Sequence, residues 1–341
     1  MTAEPSRILL VKLSSLGDVV HALPVAAAAR AAWPRAHLAW VVERREAAVL
    51  RGHPALDEVI VADTRAWRRA RRPAAVRRAL ADVLALARRL RAGRFDVAID
   101  LQALVKSGLV TAASRAPVRI GFGPQWAGES LSALFTNRRV MPGRAARHVV
   151  EQYLALLAPL GVAPARAEFV VPACAEAEHR IDDWLARSGL KPRRRLVVLN
   201  PGAGRADKRW PVESFRQLAA RLGAEVDAHA VVVWGPGEEP LAREVVDTGG
   251  TAPHPLLAPP TDLDDLVALL RRASVVVAAD TGPLHLAAAV GTACVGLYGP
   301  TSAARNGPYG GRHRALQSPN GTMAGIPVDA VLHAVGQALS A

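Results

Sequence analysis

The sequence predicts an α/β protein made of two doubly wound domains, each built on a parallel sheet. Three observations predict it. Short apolar runs alternate with helix-length segments through both halves of the chain, the pattern of strands joined by crossover helices. The run Val275-Val276-Val277-Ala278-Ala279 has no polar residue on either face, so it reads as a strand buried on both sides, which points to a parallel sheet. That run ends in Asp280-Thr281-Gly282-Pro283, then a small-residue helical segment from Leu284 to Val290 and a second apolar run from Ala293 to Tyr298. In such sheets ligands sit at the carboxyl ends of strands. Unpaired N–H groups and the dipole of the following helix favour an anion there, such as a pyrophosphate. Gly282 lets the main chain approach a ligand closely, and Pro283 suits a first helical turn. A plain strand–turn–helix connection capped by Asp280 is the competing reading.

Taken in order, Arg7 to Val11 is a first buried strand and 12–18 a loop. A helix follows from about Val19 to Ala32 and stops before Trp33-Pro34. Strands are expected at 38–42 and 59–61. An amphipathic helix covers 74–92, with Val76, Leu80, Val83, Leu84, Ala87 and Leu90 at helical spacing and Gly93 as its stop. Phe95 to Leu101 is a strand leading into Gln102 and Lys106, and 118–121 another. Residues 122–147 read as irregular, and a helix runs from Val149 to Leu160. Prolines and glycine place a linker near 162–175, which divides the chain into domains 1–170 and 171–341. Helix 176–188 is compatible with either half. The second half repeats the pattern with strands at 196–200, 230–234 and 255–257 and helices at 212–222 and 263–271. A final helix at 328–339 is a candidate to pack back on the N-terminal domain.

A length of 341 residues fits roughly two domains. The formal net charge of +13 draws nucleic acid, anionic lipid headgroups and polyanionic substrates alike. Cys174 and Cys294 lie far apart in no ligand-spaced motif, so no metal site or disulfide framework is expected and a reducing cytoplasm fits. No apolar run reaches the ~18 residues of a membrane span. The stretch Ile8 to Val11 is cut off by Lys12 and is no secretory signal. The expectation is a soluble cytoplasmic protein that rests on an anionic membrane surface by charge.

Several groups could carry chemistry. The first strand delivers Lys12, Ser14, Ser15, Gly17 and Asp18 to one sheet edge. Asp18 at a helix start is either a general base or a cap. The loop 201–211 offers Gly202, Gly204, Lys208 and Arg209, a glycine-rich backbone plus cations, as a diphosphate requires. Gly202-x-Gly204 and Gly235-x-Gly237 lack the third glycine of a dinucleotide fingerprint, and no stretch reads G-x-x-x-x-G-K-[ST]. A nicotinamide enzyme and a P-loop ATPase are therefore unsupported. Glu238, following a strand, is a candidate for a ribose hydroxyl or a solvated acid. The run Arg65-Ala66-Trp67-Arg68-Arg69-Ala70-Arg71-Arg72 is a clamp for phosphates or carboxylates, or a solvated basic loop. Only Trp67 could stack on bases, so no nucleic-acid partner is expected. A non-catalytic nucleotide-binding protein stays open.

The segments SSLGDVVHALP (14–24), DLQALVKSG (100–108), NPGAGRADKRWP (200–211), WGPGEE (234–239), DTGPLHLAAAVG (280–291) and LYGPTS (297–302) occur in this order. Together they resemble family 9 glycosyltransferases, the bacterial lipopolysaccharide heptosyltransferases, and best match the members acting on the Kdo region of the inner core. The resemblance implies a GT-B fold, two Rossmann-like domains facing a cleft, with acceptor bound by the first and ADP-sugar donor by the second. It implies inverting transfer of L-glycero-D-manno-heptose from ADP-heptose to an acidic Kdo-lipid A acceptor at the cytoplasmic face of the inner membrane, with no cofactor and no metal required. By motif match, Asp18 falls on the proposed base and Lys208 on the lysine meeting the donor phosphates. Gly202, Ala203 and Gly204 fall on the phosphate loop, Glu238 on the ribose acid, and Thr261 beside adenine. Asp280, Thr281, Gly282 and His285 fall on the donor loop. The acceptor side is implied to involve Lys12, Ser15, Arg65, Arg68, Arg69, Gln102 and Lys106. The chain departs from some members in carrying Ala203-Gly204 in place of hydroxyl residues, and Ser302 in place of an aspartate. A related member with another acceptor or nucleotide sugar is the alternative.

Overall fold

The computed structural model describes residues 4–163, 166–190, 195–247 and 254–340. The chain forms two compact units, Met1–Pro172 and Ala173–Ala341. Of the linker expected at 162–175, residues 164–165 lie outside the described residues.

In the first unit the elements are β1 (Arg7–Val11), α1 (Leu16–Ala32), β2 (His37–Glu43), β3 (Glu58–Ala62), α2 (Thr64–Arg69), α3 (Pro73–Ala92), β4 (Val97–Asp100), α4 (Val105–Ala113), β5 (Val118–Phe122), β6 (Arg138–Val140) and α5 (Val149–Ala155). The strands form one sheet in the order β3-β2-β1-β4-β5-β6, parallel throughout. Ile8, Leu9, Leu10 and Val11 have no solvent exposure, because helices cover both faces of a parallel sheet. Trp40 is buried in β2, and its indole N–H donates to the Lys12 carbonyl at 3.0 Å, holding the loop that leaves β1.

The second unit runs α6 (Ala175–Arg187), β7 (Arg195–Asn200), α7 (Val212–Glu225), β8 (Ala228–Val232), α8 (Glu239–Val246), β9 (Leu256–Leu257), α9 (Leu263–Arg272), β10 (Val275–Ala279), α10 (Gly282–Ala289), β11 (Ala293–Tyr298), α11 (Ala303–Asn306), β12 (Arg314–Gln317) and α12 (Val328–Ser340). Its strand order is β12-β11-β10-β7-β8-β9, also parallel. Counted within each unit, both sheets have the order 3-2-1-4-5-6 of a dinucleotide-type fold. All five residues of β10 are buried, as their unbroken apolar character requires.

The main departures from the sequence reading have local causes. β6 and β12 are edge strands with arginines at their starts and partly exposed residues, so neither presents an apolar run. α4 and α2 went unseen. α4 is short and has no polar cap at its start, and α2 is packed with arginine. The run 65–72, expected as a loop, is mostly this helix. α1 begins at Leu16 rather than Val19, which puts Asp18 inside its first turn. Helix 149–160 ends at Ala155 and resumes as a 3₁₀ turn over Ala158–Leu160. α6 belongs to the second unit: Arg272 of α9 reaches both Glu178 and Asp182, and Arg180 meets Asp265 at 2.7 Å. α12, a candidate to pack on the first domain, instead buries Val331, Leu332, Val335 and Ala338 in the second unit's own core, against α7 and β11. Most of the apolar stripe of α3 is exposed instead of buried, with Leu90 in the core. Leu80 is 59% exposed and Leu84 57%.

His53 lies in the turn before β3, 2% exposed. Its Nδ1 accepts from the Ala55 N–H at 3.2 Å. Burial is the largest influence on the ring and lowers its pKa to about 4, with a backbone contact to Val170 acting the other way. The unfolded chain protonates this ring near 6.5, the folded one only near 4, so between these values the unfolded state binds the extra proton. Stability is therefore full above about pH 6.5 and falls as pH drops towards 4, by on the order of 2–3 kcal/mol. Urea titrations of the full chain across this window should show that loss, and His53→Gln should flatten it.

Candidate active site

Both sheets reverse their winding between the first and fourth strand of the unit, between β1 and β4 and between β7 and β10. Loops leaving such a pair run in opposite directions and open a crevice at the carboxyl edge. The candidate residues gather at these two places.

In the first unit Lys12 follows β1 and is 3% exposed. Its ammonium donates to the Tyr153 hydroxyl at 2.7 Å and the Leu101 carbonyl at 3.2 Å, and it stands 3.9 Å from Asp18 Oδ1. Burial alone pushes this ammonium down, but Tyr153, Asp18 and Asp100 outweigh it and hold the pKa above its ordinary value. Lys12 was expected to meet the acceptor. It is sealed from solvent instead, and its three donors face protein groups. Asp18 is the exposed end of this chain of contacts. Its side chain is 43% exposed. Oδ2 accepts from the Ser15 N–H at 3.0 Å and the Ser15 hydroxyl at 2.7 Å, and Oδ1 lies 3.5 Å from the Tyr153 hydroxyl. A cation behind it and the first turn of α1 around it stabilise negative charge at this position.

Gln102 and Lys106 brace the same loop. Gln102 Oε1 accepts from the N–H groups of Leu13 at 2.7 Å and Ser14 at 3.2 Å. Lys106 Nζ donates to Ser14 Oγ at 3.1 Å. Burial lowers the Lys106 pKa most, and its other charged neighbours are Glu43, Arg68, Arg65 and Glu46. Arg65 is taken up by the buried Glu46 carboxylate at 2.7 Å. Arg68 and Arg69 are exposed and remain open to an anion. Sequence reasoning missed Asp100, Tyr153, Glu43 and Glu46. Asp100 was detectable as a carboxylate closing an apolar strand. It is buried, which raises its pKa against the Ala103 and Gln102 N–H groups and the Ser107 hydroxyl it accepts from. Tyr153 gave no local signal, being 141 residues from Lys12.

In the second unit Lys208 Nζ donates to Asp280 Oδ2 at 2.8 Å. His285 Nε2 lies 3.0 Å from Asp280 Oδ1. The carboxylate accepts, so the proton sits on Nε2. Burial works against the Asp280 anion, but His285 and then Lys208 overcome it and hold the carboxyl well below the usual range. Asn200, also missed, donates to the Gly202 carbonyl at 3.0 Å and to Thr281 Oγ1 at 3.3 Å, joining the ends of β7 and β10. Arg209 donates to the Ala203 carbonyl at 3.2 and 3.1 Å and pins the loop after β7. Gly202 is needed for space. A Cβ there would stand 2.0 Å from Glu238 Oε2, the oxygen that accepts from the Gly235 N–H at 3.1 Å. Gly204 is exposed, Gly282 begins α10, and Thr261 is half-buried in the loop after β9.

Along the sheet edge the order is therefore Asp280 and Thr281 after β10, Asn200 and Gly202 after β7, Glu238 after β8 and Thr261 after β9. Four adjacent strands at ~4.8 Å spacing span roughly 14 Å, the scale of an extended nucleotide. Lys208 and the N-terminus of α10 favour anionic charge at one end of that row. Among the described residues no group of three or more His, Cys, Asp or Glu is placed to hold a metal ion.

Comparison with known proteins identifies the family. The description of glycosyltransferase family 9 (heptosyltransferase) matches residues 83–327. Lipopolysaccharide heptosyltransferase 1 of Escherichia coli K12 is 32% identical over 328 residues, 96% of this chain and 98% of that protein. The solved E. coli heptosyltransferase WaaC with ADP superposes with a TM-score of 0.79 at 30% identity, covering 97% of this chain and 99% of that one. WaaC with ADP-2-deoxy-2-fluoro heptose gives 0.76 at 31% identity, covering 96% and 98%.

Lys12→Met removes the cation from the buried Tyr153–Leu101 contacts and from Asp100. Loss of one partner of such a cluster costs about 3 kcal/mol, which urea unfolding should register.

Proposed function

We propose that this chain, which belongs to glycosyltransferase family 9, is a lipopolysaccharide heptosyltransferase of type 1, moving L-glycero-D-manno-heptose from ADP-heptose to the Kdo region of lipid A-Kdo2 with inversion. The observation that carries the reading is the near full-length likeness to heptosyltransferase 1, with a Lys208–Asp280–His285 cluster at the switch point of the second sheet. An enzyme bound to an anionic acceptor suits a chain with a net charge of +13. We place it in the cytoplasm, against the inner membrane where a lipid-borne acceptor is made.

The chemistry divides between the units. The acceptor hydroxyl attacks the anomeric carbon, a new C–O bond forms, and the bond from that carbon to the phosphate oxygen breaks. The hydroxyl proton passes to Asp18, whose carboxylate is open to solvent and so accessible to the group a general base deprotonates. Its geometry is held by Ser15 on one oxygen and by Tyr153 and Lys12 on the other. The bonding pair leaves with ADP. Lys208 and the free N–H groups at the start of α10 offset the charge that develops on the phosphate. Asp280 orients the Lys208 ammonium, and its remaining donors serve the diphosphate. Glu238 takes ribose hydroxyls and the segment at Thr261 the adenine. Arg68 and Arg69 are the acceptor-facing cations. No cofactor takes part, and transfer is expected to proceed equally with and without chelator.

The deciding experiment offers the purified chain ADP-heptose and other nucleotide sugars with Kdo-lipid A acceptors and identifies the product by mass. A heptosylated Kdo2-lipid A is expected. A product formed only on an already heptosylated acceptor would move the chain to type 2, whose E. coli member is 30% identical over 67% of this chain.

Asp18→Asn should lower kcat by about 10²–10⁴-fold with ADP affinity unchanged in calorimetry. Lys208→Ala should weaken ADP binding about 10–100-fold, the worth of a charge-assisted contact. Gly202→Ala forces the Glu238 carboxylate away from the Gly235 N–H. It should raise KM for the donor several-fold while the thermal midpoint stays within a degree or two of the parent.

A further inference from the structure

α3 carries its apolar stripe to the outside. Val76, Leu80, Val83 and Leu84 are 38%, 59%, 40% and 57% exposed, while among the large apolar residues of this helix only Leu86 and Leu90 reach the first unit's core. At about 100° per residue these four share one side of the helix. α4, packed on α3, exposes Leu109, and the 3₁₀ turn Ser130–Phe135 packed on α4 exposes Leu131 and Leu134. Scattered exposed leucines need no explanation, but an amphipathic helix with its apolar face outward does.

Charge decides the occupant. Residues 65–92 contain ten arginines and one acid, Asp82. Arg77 and Arg88, both exposed, lie beside Leu84 on the helical wheel, where long cationic side chains can cover apolar surface and still reach polar headgroups. A second copy would have to bring the same arginine-rich rim against this one in a two-fold contact, and like charges repel. An anionic bilayer surface satisfies both halves of the pattern. It takes the leucines at the acyl boundary and the arginines at the phosphates, as for helices lying in the interface plane. Among the described residues no helix is long and apolar enough to cross a membrane, so this is a contact along the surface.

We infer that α3 docks the chain on anionic lipid, with Val76, Leu80, Val83 and Leu84 at the acyl boundary and Arg77 and Arg88 on headgroup phosphates. This deepens the proposed function, whose acceptor is anchored in the same surface. It is carried, however, by the exposure of α3 and the arginines around it, and not by the residues assigned to donor or catalysis.

The test is flotation of the full chain with phosphatidylglycerol-containing vesicles and with neutral phosphatidylcholine vesicles. Binding should be confined to the anionic vesicles. Leu80→Glu/Leu84→Glu should lower it by about tenfold or more, with an unchanged thermal midpoint, since both positions are exposed. Leu80→Cys carrying an environment-sensitive fluorophore should shift to the blue on anionic vesicles. Parent-like flotation of the double variant, or no spectral shift, overturns the inference. So does a dimer in light scattering that the double variant abolishes while vesicle binding is unaltered, because the occupant is then a second copy. Turnover on an acceptor stripped of acyl chains should be the same for the parent and the double variant. Its absence in the parent would count against the transferase reading and leave the lipid result standing.

Discussion

A backbone constraint comes before any side chain here. In each sheet the chain leaves the two central strands in opposite directions, and no helix can cover the carboxyl ends where those connections part. Several of the polar groups of the candidate site are found at those two partings. Lys12, Asp100 and Gln102 stand at the first, after β1 and β4. Asn200 and Asp280 stand at the second, after β7 and β10. The strands themselves are apolar and inert. Their role is to bring loops from distant parts of the chain within hydrogen-bonding distance.

The two partings handle charge differently. At the first, a sealed ammonium is surrounded by carboxylates, a carbonyl and a phenol, and only Asp18 reaches solvent. Such an arrangement limits where the exposed carboxylate can point, because Ser15 holds one oxygen and the buried Tyr153 and Lys12 stand behind the other. At the second, the carboxylate of Asp280 is the sheltered member, and the cation of Lys208 is the more exposed of the pair. The proposed transfer asks for an anion to take a proton and a cation to meet departing phosphate, the parts given to Asp18 and Lys208. Gly202 extends the logic to shape, since it leaves room for a carboxylate where any side chain would displace it.

Much of this was readable in the chain. The unbroken apolar runs at 8–11, 196–199 and 275–279 declare central strands, because only burial on both faces tolerates them. Asp280 follows such a run directly, and Asp18, Lys208 and Glu238 lie in the segments that leave β1, β7 and β8, so their place near a strand end was legible. Their partners were not. Tyr153 has no pattern around it that marks a site, and Asn200, although it opens the segment 200–211, meets Thr281 only because β7 lies beside β10. The edge strands β6 and β12 were missed for a related reason: a half-exposed edge does not need an apolar sequence.

α3 shows where periodicity stops being informative. Leucine and valine at helical spacing establish an amphipathic helix, and the helix is there. Spacing does not say whether the apolar side faces the sheet or the solvent, since both give the same period. By itself, then, the sequence determined the two parallel sheets, the order of their central elements and the charged residues near the strand ends, because these follow from local polarity and chain connectivity. Only the tertiary structure decided that Lys12 is sealed, that Asp280 joins Lys208 to His285, and that α3 turns outward. Each of these depends on neighbours brought together from far along the chain, and no local pattern records them.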